Sequence, residues 1–267
     1  RGDHYFYTYN DGLKNQPQLL VQQGVTGEPR VLLDPNALSA DGTMALSGAA
    51  ITKDGQLLAY GTSSGGSDWQ EWRVRDVATG RDLPDHIRWV KFSGAEWAKD
   101  GSGFWYGRYD APSEDENALK AVNKFQKLYF HRLGTTQADD VLVYERKDQP
   151  DWGYAPTLSD DGRYLVISVW RGTEERNLIF LKPLDRPEAP VIELIPEFTH
   201  SYEFISNEGD IFFFLTDDNA PRRRIVAIDI RRPERADWRE IVPQDSATLV
   251  SVSRVGNRFV TEYLRDA

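Results

Sequence analysis

Short polar turn phrases punctuate this chain, and each is followed by a run of apolar and aromatic residues. The phrases are Thr52-Lys53-Asp54-Gly55, Ala98-Lys99-Asp100-Gly101, Ser159-Asp160-Asp161-Gly162 and Asn207-Glu208-Gly209. The runs after them are Leu57-Leu58-Ala59-Tyr60, Phe104-Trp105-Tyr106, Tyr164-Leu165-Val166-Ile167 and Ile211-Phe212-Phe213-Phe214. Successive returns lie roughly 45 to 60 residues apart, the repeat of a four-stranded propeller blade. Asp-Gly signals a hairpin because glycine accepts the positive φ of a tight turn. The pattern predicts an all-β chain built from one repeated sheet unit.

Each unit reads as four strands. In the first complete one these are Met44–Ile51, Leu57–Thr62, Trp69–Val77 and the short edge Arg81-Asp82-Leu83. The next runs through Val90–Trp97, Gly103–Arg108, Lys127–Leu133 and Val141–Glu145. Tyr154–Leu158, Tyr164–Trp170, Asn177–Lys182 and Val191–Ile195 make the third. Ser201–Ser206, Asp210–Thr216, Arg224–Ile230 and Trp238–Val242 make the fourth. Tyr5–Tyr9, Gln18–Gln23 and Arg30–Leu33 supply most of a preceding blade, while Thr248–Val252 and Arg258–Leu264 begin a following one.

Four whole blades with partial ones at both ends make an incomplete arc, which would expose unpaired strand edges. Residues 1–267 are therefore expected to form one propeller domain, truncated within a polypeptide that continues in both directions. The stretch Tyr109–Lys127, with Ser113-Glu114-Asp115-Glu116, breaks the period and reads as a solvated loop.

Composition narrows the chemistry. Eight Trp, twelve Tyr and twelve Phe among 267 residues suit pleated surfaces, where broad rings pack well. A net charge of -10 repels a phosphate backbone and argues against a nucleic-acid partner. The absence of cysteine excludes disulfides, a thiolate nucleophile and Cys-ligated metal. It fits the cytoplasm or a bacterial periplasm equally. No apolar run reaches the length of a membrane span, and Arg1-Gly2-Asp3-His4 resembles no signal peptide.

Two motifs invite a chemical reading and do not support one. Gly61-Thr62-Ser63-Ser64-Gly65 satisfies the G-x-S-x-G pattern of a serine-hydrolase elbow. That chemistry needs a strand, a sharp turn and a helix, whereas here Gly66-Ser67-Asp68-Trp69 leads into another strand. His4, His86, His131 and His200 fall in different strands, and nothing marks one as a base. Arg222, Arg223, Arg224, Arg231, Arg232 and Arg235 flank a strand on turns and read as a solvated rim. The Asp-rich turns lack the spacing of a calcium loop. Of the aromatics Phe92, Trp97, Trp105, Trp152 and Trp170, most should pack between blades, with one or two facing a cavity.

A family resemblance emerges from the motifs taken in order. Tyr5–Tyr9 followed by Asn10-Asp11-Gly12-Leu13-Lys14-Asn15-Gln16 resembles the propeller of the prolyl oligopeptidases. So do Leu33-Asp34-Pro35-Asn36, Gly65-Gly66-Ser67-Asp68-Trp69, Leu83-Pro84-Asp85, Val90-Lys91-Phe92-Ser93 and Leu133-Gly134-Thr135. Leu158–Tyr164 and Ser206–Gly209 continue the match across practically the whole chain.

The resemblance implies a seven-bladed propeller, not closed by a shared strand, that caps an α/β-hydrolase domain in the same polypeptide. The complete protein would be a serine peptidase cleaving short peptides after proline, with its catalytic triad outside this segment and no cofactor. The propeller would wall the cavity and restrict access to short peptides. Phe92 aligns with an aromatic lining the subsite three residues from the cleaved bond, and Gly153 and Thr173 align with two further wall positions. Mammalian members carry larger or more apolar residues at those two positions, which implies a roomier subsite here. Asp68 aligns with a carboxylate near the cavity mouth, where a loop-capping role is the plain alternative. Arg171 lies one position from a family arginine. A stand-alone propeller that binds protein or peptide on one face is the rival expectation.

Overall fold

In the computed structural model, which describes residues 1–39, 41–112 and 123–265, the chain folds into antiparallel sheets joined by turns and three single turns of 3-10 helix among those residues. A three-stranded sheet comes first, from β1 (His4–Tyr9), β2 (Gln18–Gln23) and β3 (Arg30–Leu33). Next are β4 (Met44–Ile51), β5 (Leu57–Ser64), β6 (Gln70–Asp76) and β7 (Asp82–Val90), paired in chain order. A second four-stranded sheet contains β8 (Ala95–Trp97), β9 (Gly103–Arg108), β10 (Lys127–Arg132) and β11 (Val141–Tyr144). The third contains β12 (Trp152–Leu158), β13 (Tyr164–Arg171), β14 (Leu178–Pro183) and β15 (Ile192–Ile195). In the fourth are β16 (Tyr202–Glu208), β17 (Ile211–Thr216), β18 (Arg224–Asp229) and β19 (Arg239–Val242). A two-stranded sheet of β20 (Thr248–Val255) and β21 (Arg258–Leu264) follows. The chain divides into two compact units, Arg1–Pro156 and Thr157–Ala267.

The recurring turn phrases act as the hairpin between the first two strands of a sheet. At the first, Gly55 takes φ 76° and donates its N–H to the Thr52 carbonyl at 2.9 Å. The Asp54 carboxylate accepts the Thr52 hydroxyl at 2.6 Å and the Gln56 N–H at 3.1 Å. Ser159, Asp161 and Gly162 repeat the arrangement, with the Ser159 hydroxyl donating to Asp161 at 2.8 Å. Each carboxylate thus closes its own turn locally.

Strand residues alternate between neighbouring sheets, so the core consists of sheet-to-sheet layers. In the first unit, Ala59, Trp72, Val74, Ile87 and Val90 pack against Trp97, Phe104 and Tyr106 of the following sheet. The buried Trp97 also donates its indole N–H to the Ala50 carbonyl at 2.9 Å. In the second unit, Val166, Ile179 and Leu181 meet Phe212, Phe214, Val226 and Ile228. Trp105, 7% exposed, also belongs to the core rather than to an open cavity.

One expected strand is two. The apolar run Val90–Trp97 does not continue as a single strand, because Trp89 and Phe92 adopt φ 63° and 53°. β7 therefore extends through the segment expected as a three-residue edge, and β8 starts only at Ala95. The charged phrase Ser113-Glu114-Asp115-Glu116 lies outside the described residues.

Candidate functional site

The break between β7 and β8 lifts Phe92 out of the sheet. Its side chain is 46% exposed while its neighbour Lys91 is 5% exposed. A left-handed conformation at a bulky residue is costly, and hydrogen bonds on both sides hold it. The Tyr109 N–H donates to the Trp89 carbonyl at 3.0 Å. The Ser93 hydroxyl accepts the Gly107 N–H at 2.7 Å.

Gln126, buried immediately before β10, ties this break to two other segments. Its carboxamide Nε2 donates to the Lys91 carbonyl at 2.9 Å, and its Oε1 accepts the Tyr154 N–H at 2.6 Å. The Phe125 N–H donates to the Pro150 carbonyl at 2.7 Å. Residues 89–94, 123–126 and 150–154 are thereby stitched together, which brings Phe92 and the buried Gly153 into one framework. Gln126 had no mark in the sequence, since its partners are 35 and 28 positions away.

Asp68 enters the same neighbourhood through Trp69. The Lys91 ammonium lies 4.3 Å from the centre of the Trp69 ring and donates to the Asn123 side chain at 3.1 Å. Trp89 and Tyr109 meet Trp69 edge-on at 5.6 and 6.1 Å. Burial pushes the Tyr109 phenol up to about 12. The Asp68 side chain is exposed and forms no hydrogen bond or ion pair with the described residues. Its loop is capped by Ser67, whose hydroxyl accepts the Trp69 N–H at 3.1 Å. The loop-capping alternative for Asp68 therefore has no hydrogen bond behind it.

Arg171 and Thr173 belong to the second unit, at the β13–β14 turn. Thr173 is exposed. The Arg171 guanidinium donates to Glu174 at 2.9 and 2.6 Å and lies 4.4 Å from the Phe198 ring centre. Arg176 also pairs with Glu174. These guanidinium hydrogen bonds outweigh burial and lower the Glu174 carboxyl. Arg171 is thus held by a carboxylate of its own turn.

The motifs set aside at the sequence level acquire structural roles. Ser63 lies within β5, opposite Ala45 and Gln70, and the following turn leads to β6. A Cβ on Gly61 would lie 2.6 Å from the Trp72 ring, so this glycine makes room for an indole. Arg224, Arg231 and Arg235 are ion-paired with Glu240, Asp229 and Asp218 respectively.

Two family-like phrases of the first sheet meet as well. The Asp34 carboxylate accepts Lys14 Nζ at 3.0 Å and Gln18 Nε2 at 2.6 Å, while Asn36 exchanges hydrogen bonds with the Gln16 backbone. Burial opposes ionisation of Asp34, but the hydrogen bonds from Asn36, Lys14 and Gln18 prevail and lower its pKa to about 2.

His131 has the environment that its sequence position concealed. It is fully buried between Asp140, 2.6 Å from Nδ1, and Asp85, 3.0 Å from Nε2. Burial pulls the imidazolium down, yet hydrogen bonds and charge from both carboxylates override it, leaving the pKa at about 9. The Tyr106 hydroxyl donates to Asp140 at 2.5 Å, and the Gly134 N–H donates to Asp85 at 2.6 Å. Both ring nitrogens are engaged by carboxylates, so His131 is a structural cation rather than a general base.

Repeated four-stranded antiparallel sheets, each opened by a tight hairpin, are the unit from which β-propellers are built. The sequence model of the prolyl oligopeptidase N-terminal beta-propeller domain matches residues 1–267, and the chain belongs to that family. Prolyl endopeptidase from Elizabethkingia meningoseptica is 33% identical over 267 residues, which are 100% of this chain and 37% of the relative. Prolyl oligopeptidase A from Galerina marginata is 32% identical over 96% of this chain and 38% of its own length. A solved prolyl endopeptidase superimposes with TM-score 0.87 at 35% identity, over 100% of this chain and 38% of that one. Prolyl oligopeptidase B from Galerina marginata, bound to a 35mer hydrolysis and macrocyclization substrate, gives TM-score 0.88 at 27% identity, with coverage of 99% and 40%. The chain thus spans little more than a third of the length of these relatives. No helix among the described residues is long and apolar enough to cross a membrane.

Proposed function

We propose that this chain is the non-catalytic propeller of a serine-type prolyl endopeptidase that cleaves short peptides on the carboxyl side of proline. Residues 1–267 belong to one propeller domain in that enzyme, and its partner is an α/β-hydrolase domain of the same polypeptide. The propeller walls part of the active-site cavity and excludes large substrates. Phe92 presents an apolar surface to the substrate residue three positions from the cleaved bond, with Gly153 and Thr173 as further wall positions. Asp68 and Arg171 set the charge met by an incoming peptide. The enzyme works in the cytoplasm or a bacterial periplasm, with no cofactor.

The observation that carries this proposal is the exposed, left-handed Phe92, anchored by buried neighbours in a chain of this family. Backbone strain of this kind persists only where surrounding contacts over-determine it, and it clusters at ligand-binding positions. The test compares the full-length protein with residues 1–267 alone on a chromogenic peptide containing proline. Turnover by the full-length protein and none by the isolated segment supports the proposal. Turnover by the segment itself refutes it.

A further inference from the structure

Phe125 is the second large aromatic of the stitched framework, and it repeats the anomaly of Phe92. It adopts φ 59° and keeps its side chain 45% exposed. No other ring or cation among the described residues stacks on it. Its backbone is nonetheless fixed. The Phe125 N–H donates to Pro150, and the next residue, Gln126, is 1% exposed and bridges Lys91 to Tyr154. A solvated turn needing this conformation is served by glycine or asparagine at little cost. Phenylalanine instead carries both a backbone penalty and the exposure of an apolar ring.

Phe92 and Phe125 each follow or precede a residue of the same hydrogen bond, the 2.9 Å contact between the Lys91 carbonyl and Gln126. They therefore occur on adjacent segments whose relative position is set by a buried carboxamide. A second link, from Lys91 Nζ to Asn123, runs beside the first. Two half-exposed rings beside one hydrogen-bonded mount offer apolar surface of the kind an aliphatic or aromatic side chain covers. Rigid aromatic surfaces are effective at recognition because little entropy is lost when they are covered.

We propose that Phe125 is a second specificity-determining residue of the peptide subsite, acting with Phe92 on an apolar side chain three residues from the cleaved bond. This inference rests on the function proposed above. Gln126 is its positioning residue.

The test is Phe125→Gly in the full-length protein, assayed on paired peptides that differ only in glycine or leucine at that third residue. Glycine accepts φ 59°, so the melting temperature should stay the same or rise while the preference for leucine falls by about fivefold. Loss of stability, or an equal loss of kcat/KM on both peptides, would identify Phe125 as a packing or interdomain contact and overturn the inference. An unchanged preference would overturn it too. If the unsubstituted protein cleaves neither peptide, the proposed function itself fails, and that outcome is distinct from a failure of Phe125 alone.

Discussion

The Gln126 carboxamide donates to the carbonyl of Lys91 across 2.9 Å and, through its other atom, accepts the N–H of Tyr154 at 2.6 Å. One side chain thereby satisfies backbone groups from two segments distant in sequence. The residue after Lys91 is the exposed Phe92, and the residue before Tyr154 is Gly153. Local backbone geometry at the candidate wall therefore depends on a residue that never needs to touch a ligand.

Gln126→Ala should expose this dependence. It leaves a carbonyl and an N–H without partners at buried positions, which costs about 2–4 kcal/mol in total. Urea denaturation should show a lower midpoint at unchanged slope. A midpoint within error of the unsubstituted protein would mean that water replaces both hydrogen bonds without cost.

The Asp85–His131–Asp140 cluster predicts a specific pH dependence. His131 is raised from 6.5 to about 9 in the folded protein. Its contribution is fully present below pH 6.5 and disappears as pH rises through about 9. By linkage it amounts to about 3 kcal/mol. Asp85 runs the other way. Burial raises it, but the hydrogen bonds from His131 and the Gly134 N–H outweigh burial and lower its pKa, so its contribution is lost on acidification below 3.8. Thermal melts between pH 6 and pH 10 should show the alkaline decline, and His131→Gln should flatten it while lowering stability throughout. Should that variant not fold, Asp140→Asn provides the same comparison. A decline of equal size in the folded variants would assign it to other groups.

Gly61 and Ser63 separate packing from chemistry within one motif. Gly61→Ala drives a Cβ to 2.6 Å from Trp72, a ring only 3% exposed, and should destabilise by about 1–3 kcal/mol. Ser63→Ala should leave turnover by the full-length protein unchanged. Loss of turnover in a stable Ser63→Ala protein would restore the nucleophile interpretation of the motif.

Asp68 offers an electrostatic test free of structural side effects. Its carboxylate makes no hydrogen bond to the described residues, so Asp68→Asn should keep the melting temperature. In the full-length protein it should weaken the salt dependence of kcat/KM for peptides with a charged amino end. An unchanged salt profile would remove Asp68 from the cavity mouth.

Much of the sheet order could be read directly from residue pattern. Gln18–Gln23, Arg30–Leu33, Met44–Ile51, Gly103–Arg108 and Arg258–Leu264 have the expected limits because alternation and Asp-Gly turns are local signals. Val90–Trp97 failed for a non-local reason. Trp89 and Phe92 look like ordinary strand residues, and hydrogen bonds from Tyr109 and Gln126 hold the break between them. His131 was equally opaque, since Asp85 lies 46 positions away. Resemblance points to Phe92, Gly153 and Asp68, whereas the Gln126 hydrogen bonds that join the segments of Phe92 and Gly153 span 35 and 28 positions and leave no local trace in the sequence.

Replacement of Phe92 by alanine in the full-length protein probes the central claim at its most exposed point. The ring is about half covered in the free segment, so its contact with substrate should be worth about 1–2 kcal/mol. Peptides with an apolar third residue should lose about five- to thirtyfold in kcat/KM, while peptides too short to reach Phe92 keep theirs. Equal loss on long and short peptides, or no loss on either, would contradict a substrate-lining propeller.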